Sequence, residues 1–570
     1  MARLKEFTGI EGSDFFAQDA GLQLILRELL APAGCQAVFD SLHDCALRVA
    51  GRWATLAVEG SRPEQLPRLV AEDRVGNPVE RVELSPYVRQ LRREVAEFGV
   101  LTLAQNELHR FAMVYLLAHN GEASLMCGTA CTDGLLRVLA AKGSPELNDR
   151  YWERIASAET PLAGAQFVTE QAGGSDIGAI ESVAEPVGEG TWAITGEKWF
   201  CSNPDEFFLI GARPSGAPAG TPGVGIFLVP RILPDGRPNH LHYRRLKDKL
   251  GTRSLPTAEI DFRGALGFCI GEPKDGFQNL MNYVINTSRL HNAANALGFM
   301  HRAFLEARNY ARQRDAFGGP IVRYPLVRES LVGMLAALWR ERVLFFRLVA
   351  DCDAHGLVPH EREQRLWQRC LINMAKYRTA VGLTAYIRDA ILLLGANGTV
   401  EDFSVLPRLL RDALIIETWE GTHNTLALQI LRDLGRFDFA GRWQAAIDEV
   451  LRAWPADFLA RTRQRLEASY RRLLTLLPRA AADPSFGLAH ARRLVDGCAG
   501  VLQIAWLATL ALRENERRAL AALLTAVAAD QLWTSASERF EAGTTERLGD
   551  LAEAVIDEEP IAAPKWLGEL

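Results

Sequence analysis

At 570 residues, 48% of them apolar and 24% charged, the chain is too long for one core and too hydrophobic to be disordered, so several globular domains are expected. A formal charge of −6 excludes a global pull toward nucleic acid or anionic lipid and leaves only local patches for such partners. The nine cysteines are scattered, odd in number and without a CxxC pair, which argues against a disulfide framework or a zinc ribbon. The first segment (MARLKEFTGIEGSDFF) lacks a signal-type apolar run, and no stretch approaches roughly 18 uninterrupted apolar residues. The expectation is a cytoplasmic protein with no membrane span and no metal.

In chain order, residues 1–160 carry helical spacing. Leu22, Leu24, Ile25, Leu29 and Leu30, then Leu101, Leu108, Phe111, Val114, Tyr115 and Leu117, recur near every third or fourth position, which predicts an N-terminal helical domain. Within it, residues 59–85 hold prolines and charges with weak periodicity and read as a long surface connection. Over 161–270 the pattern changes to short β-rich runs (TWAITGEKWF, FFLIGA, VGIFLVP, TAEIDF) separated by Gly, Pro and Asp clusters. No helix-length segment separates them, so a central antiparallel β barrel or sandwich is predicted rather than βαβ units. Helical periodicity returns over 276–316, 325–353, 362–394 and 403–434, broken by turn signals, which predicts a four-helix bundle over 271–436. Residues 437–570, rich in Leu, Ala and Arg, predict an additional helical domain. The fold class is α+β, mainly α.

Several short runs carry chemistry. Residues 167–176 (FVTEQAGGSD) mix hydroxyls, glycines and acids at the entrance to the β segment; such a loop presents N–H and O–H donors to a polar ligand, although Gly-Gly-Ser-Asp is equally a common turn. No GxGxxG and no GxxxxGK[ST] occurs, so a nucleotide would need another architecture. Three further runs are KWFCSN at 198–203, RDAFG at 314–318, and GANG, RD and WEGT at 395–398, 411–412 and 419–422.

In order and spacing, these runs resemble the motifs of the acyl-CoA dehydrogenase family over about residues 90–435. The resemblance implies a domain order of N-terminal helices, central β domain and four-helix bundle. It also implies a non-covalent FAD, a role in fatty-acid metabolism, and a homo-oligomer arranged as a dimer of dimers. Carried over residue by residue, it places Val168, Thr169, Gly174, Ser175, Phe200, Ser202, Arg314, Phe317, Gly395, Trp419, Thr422 and Asn424 against the cofactor. Thr169 donates to the flavin ring, and Arg314 reaches the pyrophosphate across a subunit interface, where a guanidinium fork suits paired phosphate oxygens. Ser175, Arg289, Glu420 and Gly421 fall toward the substrate. The implied partners are an acyl-CoA-type substrate and an electron-transfer flavoprotein.

Glu420 falls where the family's catalytic carboxylate usually lies. A carboxylate that removes a weakly acidic proton beside a thioester needs to lose water, while the acyl oxygen is held by hydrogen-bond donors. Glu417, three residues earlier, is read as an exposed or salt-bridged loop glutamate outside the motif. Thr287, Ser288 and Arg289, on the helix where some relatives carry the base, offer no acid; Arg289 reads either as a thioester-end contact or as a buried structural arginine.

In the combination of KWFCS at 198–202, an extended helical C-terminal segment and the run RRLKDKLG at 244–251, the chain most resembles the adaptive-response, AidB-like branch of the family, in which dehydrogenase activity is weak or uncertain and a basic C-terminal region is associated with duplex DNA. Between Arg452 and Arg518 twelve arginines face six acids, a pattern read here as a solvated helical face rather than a DNA surface. A flavin oxidase acting on nitroalkanes is the third alternative, and Glu420 in place of an aspartate argues against it.

Overall fold

The computed structural model describes residues 7–102, 106–436, 439–534, 547–549 and 551–569. Helices α1 (Ala20–Leu29), α2 (Pro32–Arg48) and α3 (Ala54–Gly60) open the chain. A two-stranded hairpin, β1 (Arg68–Glu72) and β2 (Pro78–Glu83), leads to α4 (Pro86–Phe98), α5 (Glu107–Leu117), α6 (Ala123–Lys142) and α7 (Pro145–Ala156). The hairpin replaces the surface connection expected over 59–85: Val70 and Val82 sit among charged residues, too few apolar positions to make the alternation visible, yet the strands pair from Arg68–Glu83 inward.

Strands β3 (Gly164–Phe167), β4 (Val183–Gly188), β5 (Thr191–Ser202), β6 (Phe207–Pro214), β7 (Gly225–Pro230), β8 (Leu241–Leu246) and β9 (Thr257–Cys269) form one seven-stranded sheet in the order β3-β6-β4-β5-β9-β7, with β8 on β9 and a further β6–β7 pairing. The sheet is mixed rather than purely antiparallel, since β6 pairs in parallel with both β3 and β4. A parallel pair needs a long crossover. Here the intervening β4 and β5 supply it in place of a helix, which is why the lack of helical spacing misled the expectation.

The rest is helical: α8 (Gly276–Asn279), a π-helical stretch Leu280–Ile285, α9 (Asn286–Gln313), a small hairpin β10 (Asp315–Ala316) and β11 (Gly319–Pro320), then α10 (Pro325–His355), α11 (Arg362–Val381), α12 (Leu383–Leu394), α13 (Leu406–Thr418), α14 (His423–Arg436), α15 (Phe439–Ala453), α16 (Ala460–Ala482), α17 (Pro484–Leu512), α18 (Arg518–Trp533) and α19 (Leu551–Ile556). Two of the four expected bundle helices are interrupted: 362–394 breaks at Gly382, and 403–434 breaks at 419–422, where Glu420 and Gly421 take positive φ. Hydrophobic period survives a short break, because the apolar stripe resumes on the same side. Helix α17 is long and apolar, and 78% of its most apolar window is buried inside the protein, as in a core helix.

The chain divides into two compact units. One comprises residues 52–105 and 122–292, the other 1–51, 106–121 and 293–570. In the first, the inward faces of the sheet (Phe167, Ile194, Phe208, Phe227, Ile260) form one core and a second gathers Leu135, Leu139, Tyr151 and Leu209 from α6, α7 and β6. In the second, a buried polar centre ties distant segments together. Asp19 caps α1 through the Leu22 N–H (2.8 Å) and pairs with Arg342 (2.7 Å), while the Tyr115 hydroxyl donates to its other oxygen (2.5 Å). Glu558 accepts from Trp339 Nε1 (2.6 Å) and the Gly21 N–H (3.0 Å). Gly21 is required by this closeness, because a Cβ there would stand 2.4 Å from Arg342 Nη1.

Burial, reinforced by the Asp19 charge, pushes the Glu558 carboxyl up to about 7. A raised folded value means that the docking of the C-terminal segment is favoured below the ordinary carboxylate range and weakens as pH rises through about 7. Hydrogen exchange of the amides of α19 is therefore expected to quicken between pH 6 and 8 in the native chain. In Glu558→Gln, which cannot ionise, it should show no extra pH dependence beyond intrinsic chemistry.

Candidate functional site

In the first unit, the loop after β3 and the end of β5 are locked together. Lys198 and Glu170 are both withdrawn from solvent and meet at 2.5 Å; Glu170 also accepts from the Ser182 hydroxyl (2.6 Å) and the Glu181 N–H (2.6 Å). Burial pushes the Glu170 carboxyl up, but Lys198 and these hydrogen bonds outweigh it and hold it below the usual range. The loop closes on itself through reciprocal Glu170 and Gly173 backbone bonds (both 3.1 Å), and the Trp199 N–H donates to the Thr169 carbonyl (2.9 Å). Thr169 therefore sits beside Trp199, and Gly174 packs so closely that a Cβ there would lie 3.2 Å from Thr169 Cγ2. Val168 is half-buried, whereas Gly174 and Ser175 are exposed.

A register shift between Lys198 and Cys201 in the β5–β9 pairing re-aims the strand end. Phe200 is consequently half exposed, with Lys247 Nζ 4.7 Å from its ring and 3.6 Å from that of Trp199. Ser202 shares a 3.0 Å hydroxyl contact with Thr257, which also accepts from Lys249 (2.9 Å). Thr169, Gly174, Phe200 and Ser202 thus lie on two segments joined by a buried ion pair. Arg289, on α9, is buried.

In the second unit, residues 419–422 form the link between α13 and α14. Glu420 has φ 57° and Gly421 φ 103°; a non-glycine residue in the left-handed region costs of order 1–3 kcal/mol and persists only where its surroundings impose it. Two side chains do so. Lys376, fully buried on α11, donates to the Gly421 carbonyl (2.8 Å). Glu417 accepts from both the Thr384 N–H (3.0 Å) and its hydroxyl (2.6 Å) and stands 3.6 Å from His423 Nε2. The expectation of a surface loop glutamate is corrected: Glu417 lies in α13 with only 18% of its side chain exposed. Burial raises its carboxyl, but the His423 and Thr384 bonds outweigh that and leave it lowered. Sequence distance concealed the role, since Thr384 is 33 residues away.

Of the other predicted residues in this unit, Trp419 is half-buried with its indole N–H enclosed and unbonded. Thr422 precedes α14, its hydroxyl 3.0 Å from that of Thr425, and Asn424 is exposed on the first turn. Gly395 ends α12 with φ 64°. Arg314 follows α9, and its guanidinium meets no hydrogen-bond or ion-pair partner among the described residues. Phe317 caps the β10–β11 hairpin with φ 51°, next to Gly318 at φ 102°, and is 98% exposed; two successive positive φ values are what a two-residue hairpin turn demands. Lys376 and Lys247 were missed as positioning residues. A lone lysine inside the apolar run LINMAKY is the signal that could have found the first.

The twelve arginines of 452–518 are partly spoken for by acids: Arg463 and Arg471 pair with Glu467, Arg465 with Asp530, Arg517 with Glu516 and Arg518 with Glu514.

Comparison with known proteins gives a consistent result. Residues 165–265 match the acyl-CoA dehydrogenase middle domain, and residues 274–435 the acyl-CoA dehydrogenase C-terminal domain. The AidB protein of Escherichia coli (strain K12), which carries an acyl-CoA dehydrogenase name, is 31% identical over 387 residues, covering 65% of this chain and 69% of that protein. The structure of Caenorhabditis elegans ACDH-11 in complex with C11-CoA superposes with a TM-score of 0.84 at 24% identity, covering 98% of each chain. The structure of an acyl-CoA dehydrogenase complexed with FAD from Bacillus anthracis gives 0.68 at 18% identity, covering 85% of this chain and 88% of that one.

The Lys198 and Glu170 pair makes a stability prediction. Removing one partner leaves a buried charge, at a cost of about 3–5 kcal/mol, so Lys198→Met should lower the melting temperature of the chain, whereas Glu197→Gln, on the same strand but more exposed, should not. Because Glu170 is held low, its contribution is present above the ordinary carboxylate range and is lost as pH falls through its lowered value. Glu170→Gln should flatten that acid limb in pH-dependent thermal denaturation.

Proposed function

Because the chain belongs to the acyl-CoA dehydrogenase family, an oxidoreductase family, we propose that it desaturates an acyl-CoA thioester, with Glu420 removing the proton and FAD as cofactor. The observation that carries this reading is the conformation of Glu420: a carboxylate held at positive φ in a four-residue link, its neighbouring carbonyl clamped by a buried lysine. Strain of that kind positions a reacting group ahead of substrate binding.

The residues present fit a flavin. The Thr169 carbonyl is used by Trp199, while the hydroxyls of Thr169 and Ser175 have no partner among the described residues and are available as donors. A Cβ at Gly174 would crowd the Thr169 side chain (3.2 Å to Cγ2) where the loop would approach a ring. Phe200 offers an exposed aromatic face, and Ser202 a hydroxyl already oriented by Thr257. Val168 would add an apolar contact, and Arg314, Phe317, Gly395, Trp419, Thr422 and Asn424 would serve the remainder of the cofactor, with the unbonded Trp419 N–H a further donor. When bound, FAD supplies the acceptor for a hydride from the carbon next to the one deprotonated.

Glu420 takes the proton from the carbon beside the thioester carbonyl onto a carboxylate oxygen. The negative charge that develops on the acyl oxygen calls for N–H or O–H donors aimed at it. Lys376 and Glu417 keep the link 419–421 in place while this happens, and Arg289 and Ser175 are assigned to the thioester and carrier end. An electron-transfer flavoprotein is the partner of choice for reoxidation, and a cytoplasmic location is the corresponding setting.

A homo-oligomer, a dimer of dimers, belongs to the same reading. Its support is the exposure of Phe317, at 98%, on the hairpin that follows Arg314, with Leu326 at the start of α10 also exposed. An aromatic ring so fully exposed at a hairpin tip is suited to packing against a second copy of the chain.

Mixing the FAD-loaded protein anaerobically with a panel of short, long, branched and aromatic acyl-CoAs should bleach the oxidised flavin absorbance with at least one of them. Glu420→Gln should abolish bleaching and retain the flavin; bleaching at the native rate in that variant would remove Glu420 from the mechanism. Glu417→Gln should slow the reaction roughly tenfold by loosening the link, a smaller loss than removal of the base. In light scattering the native chain should run as a tetramer and Phe317→Ser as a smaller species with weakened FAD retention; a native monomer that keeps its flavin contradicts the assembly.

A further inference from the structure

The first unit holds a buried cation that the site described above does not use. Arg92, on α4, is 2% exposed, and its Nε, Nη1 and Nη2 are all enclosed without a hydrogen bond among the described residues. Its ion-pair partner, Asp205, stands at 3.7 Å, beyond hydrogen-bond reach. A guanidinium has five donor hydrogens, and burying it with none of them satisfied costs several kcal/mol unless something fills the space beside it.

That space exists. Arg92 lines a small enclosed cavity of about 10 Å³ with Val88, Leu91, Glu122, Leu125 and Ser254, room for about one oxygen-sized group. The wall is preorganised. Glu122 is fixed by the N–H groups of Ser124 (3.0 Å) and Leu125 (3.0 Å) at the start of α6 and by the Ser254 hydroxyl (2.6 Å), which also stands 2.8 Å from that of Ser124. The cavity is thus apolar on one side, with a donor fork and an acceptor on the other.

Two chain segments connect it to the candidate site. Ser254 is three residues from Thr257, whose hydroxyl meets that of Ser202. Asp205 is three residues beyond Ser202, and the intervening Asn203, itself at φ 60°, is anchored by its side-chain amide to the carbonyls of Leu162 and Gly164 (both 2.8 Å). A group in the cavity would therefore lie close along the chain to the residues assigned to flavin.

Charge decides what kind of group. Arg92 is already faced by Glu122 and Asp205, two acids to one base, so a further carboxylate would add repulsion. A neutral oxygen can accept from the guanidinium, and if it is a hydroxyl it can also donate to Glu122 or Ser254. We propose that the Arg92, Glu122 and Ser254 cavity is a specificity subsite for a neutral oxygen-bearing group, a hydroxyl or carbonyl, at the far end of the acyl substrate. This rests on the dehydrogenase reading for the word acyl, and on the cavity alone for the chemistry of the group.

The test compares CoA thioesters of equal chain length, four to twelve carbons, ending in methyl, hydroxymethyl or carboxylate, by the rate of anaerobic flavin bleaching. The native protein should favour the hydroxylated chain over the methyl chain by about tenfold or more in kcat/KM at one length, because a site built to bond an oxygen penalises the analogue lacking it. The carboxylate should be the poorest. Arg92→Met should erase the preference while keeping the methyl-ended rate within about threefold, and Arg92→Lys, which retains a donor, should keep part of it. Ser254→Ala provides a second, milder variant should Arg92→Met fold poorly.

A parallel measurement needs no turnover: the rise in melting temperature caused by free ω-hydroxy fatty acids against unsubstituted ones of the same lengths. It should be larger for the hydroxylated acids in the native protein and equal in Arg92→Met. Bleaching without any terminal-group preference overturns the subsite and leaves the cavity to a water molecule. No bleaching with any thioester, but an Arg92-dependent melting shift, overturns the dehydrogenase reading and keeps the subsite. Equal shifts for both acids in the native protein overturn it.

Discussion

The contact between Lys198 and Glu170 is what the cofactor half of the proposed site hangs on. A lysine fully removed from water has no stable place in a β-sheet unless an acid follows it inside, and Glu170 does so at 2.5 Å with Ser182 and the Glu181 N–H completing its coordination. The energetic gain of such a pair over an apolar one is small; what it supplies is register. The loop 169–176 contains two successive glycines and an alanine and has little side-chain surface of its own to bury, so without the anchor it would have many conformations of similar energy. With it, Thr169 is pinned beside Trp199 and the strand end carrying Phe200 and Ser202 is fixed relative to the loop.

The same device recurs in the second unit. Lys376 is buried, and its ammonium is spent on the carbonyl of Gly421, which fixes a backbone that sterics alone would reject. Glu417 does for the start of α12 what a cap does at any helix N-terminus, satisfying the Thr384 N–H, and in doing so ties the end of α13 to a neighbour. In each unit a buried charge is used to hold main chain. Arg92 differs: among the described residues its donors are enclosed and unspent, which is why it points to a ligand group rather than to a scaffold role.

The motifs were legible because a motif is a local string. TEQAGGSD, KWFCSN, RDAFG and WEGT can be read without knowing where the chain goes, and their order marked the candidate residues. The helical and β segments were legible for a related reason: apolar spacing reports which face is buried, and burial is the largest favourable term. The failures have one cause. The hairpin at 68–83 has little apolar face, the parallel pairing of β6 with β3 and β4 depends on strands far apart in sequence, and the break at 419–422 leaves the apolar stripe nearly in phase.

By itself, then, the sequence determined the mainly α class with a β segment in its middle, the family resemblance and the identity of Glu420 as the acid in the WEGT run. These follow from composition, period and short strings. Only the tertiary structure decided that the sheet is mixed, that Glu417 supports the Glu420 link instead of lying on the surface, that Lys376 clamps that link from 45 residues away, and that Arg92 is buried against a cavity with its donors unmet. Each of these is a contact between residues distant in sequence, and its energy comes from the exclusion of water at a place the chain makes only when folded.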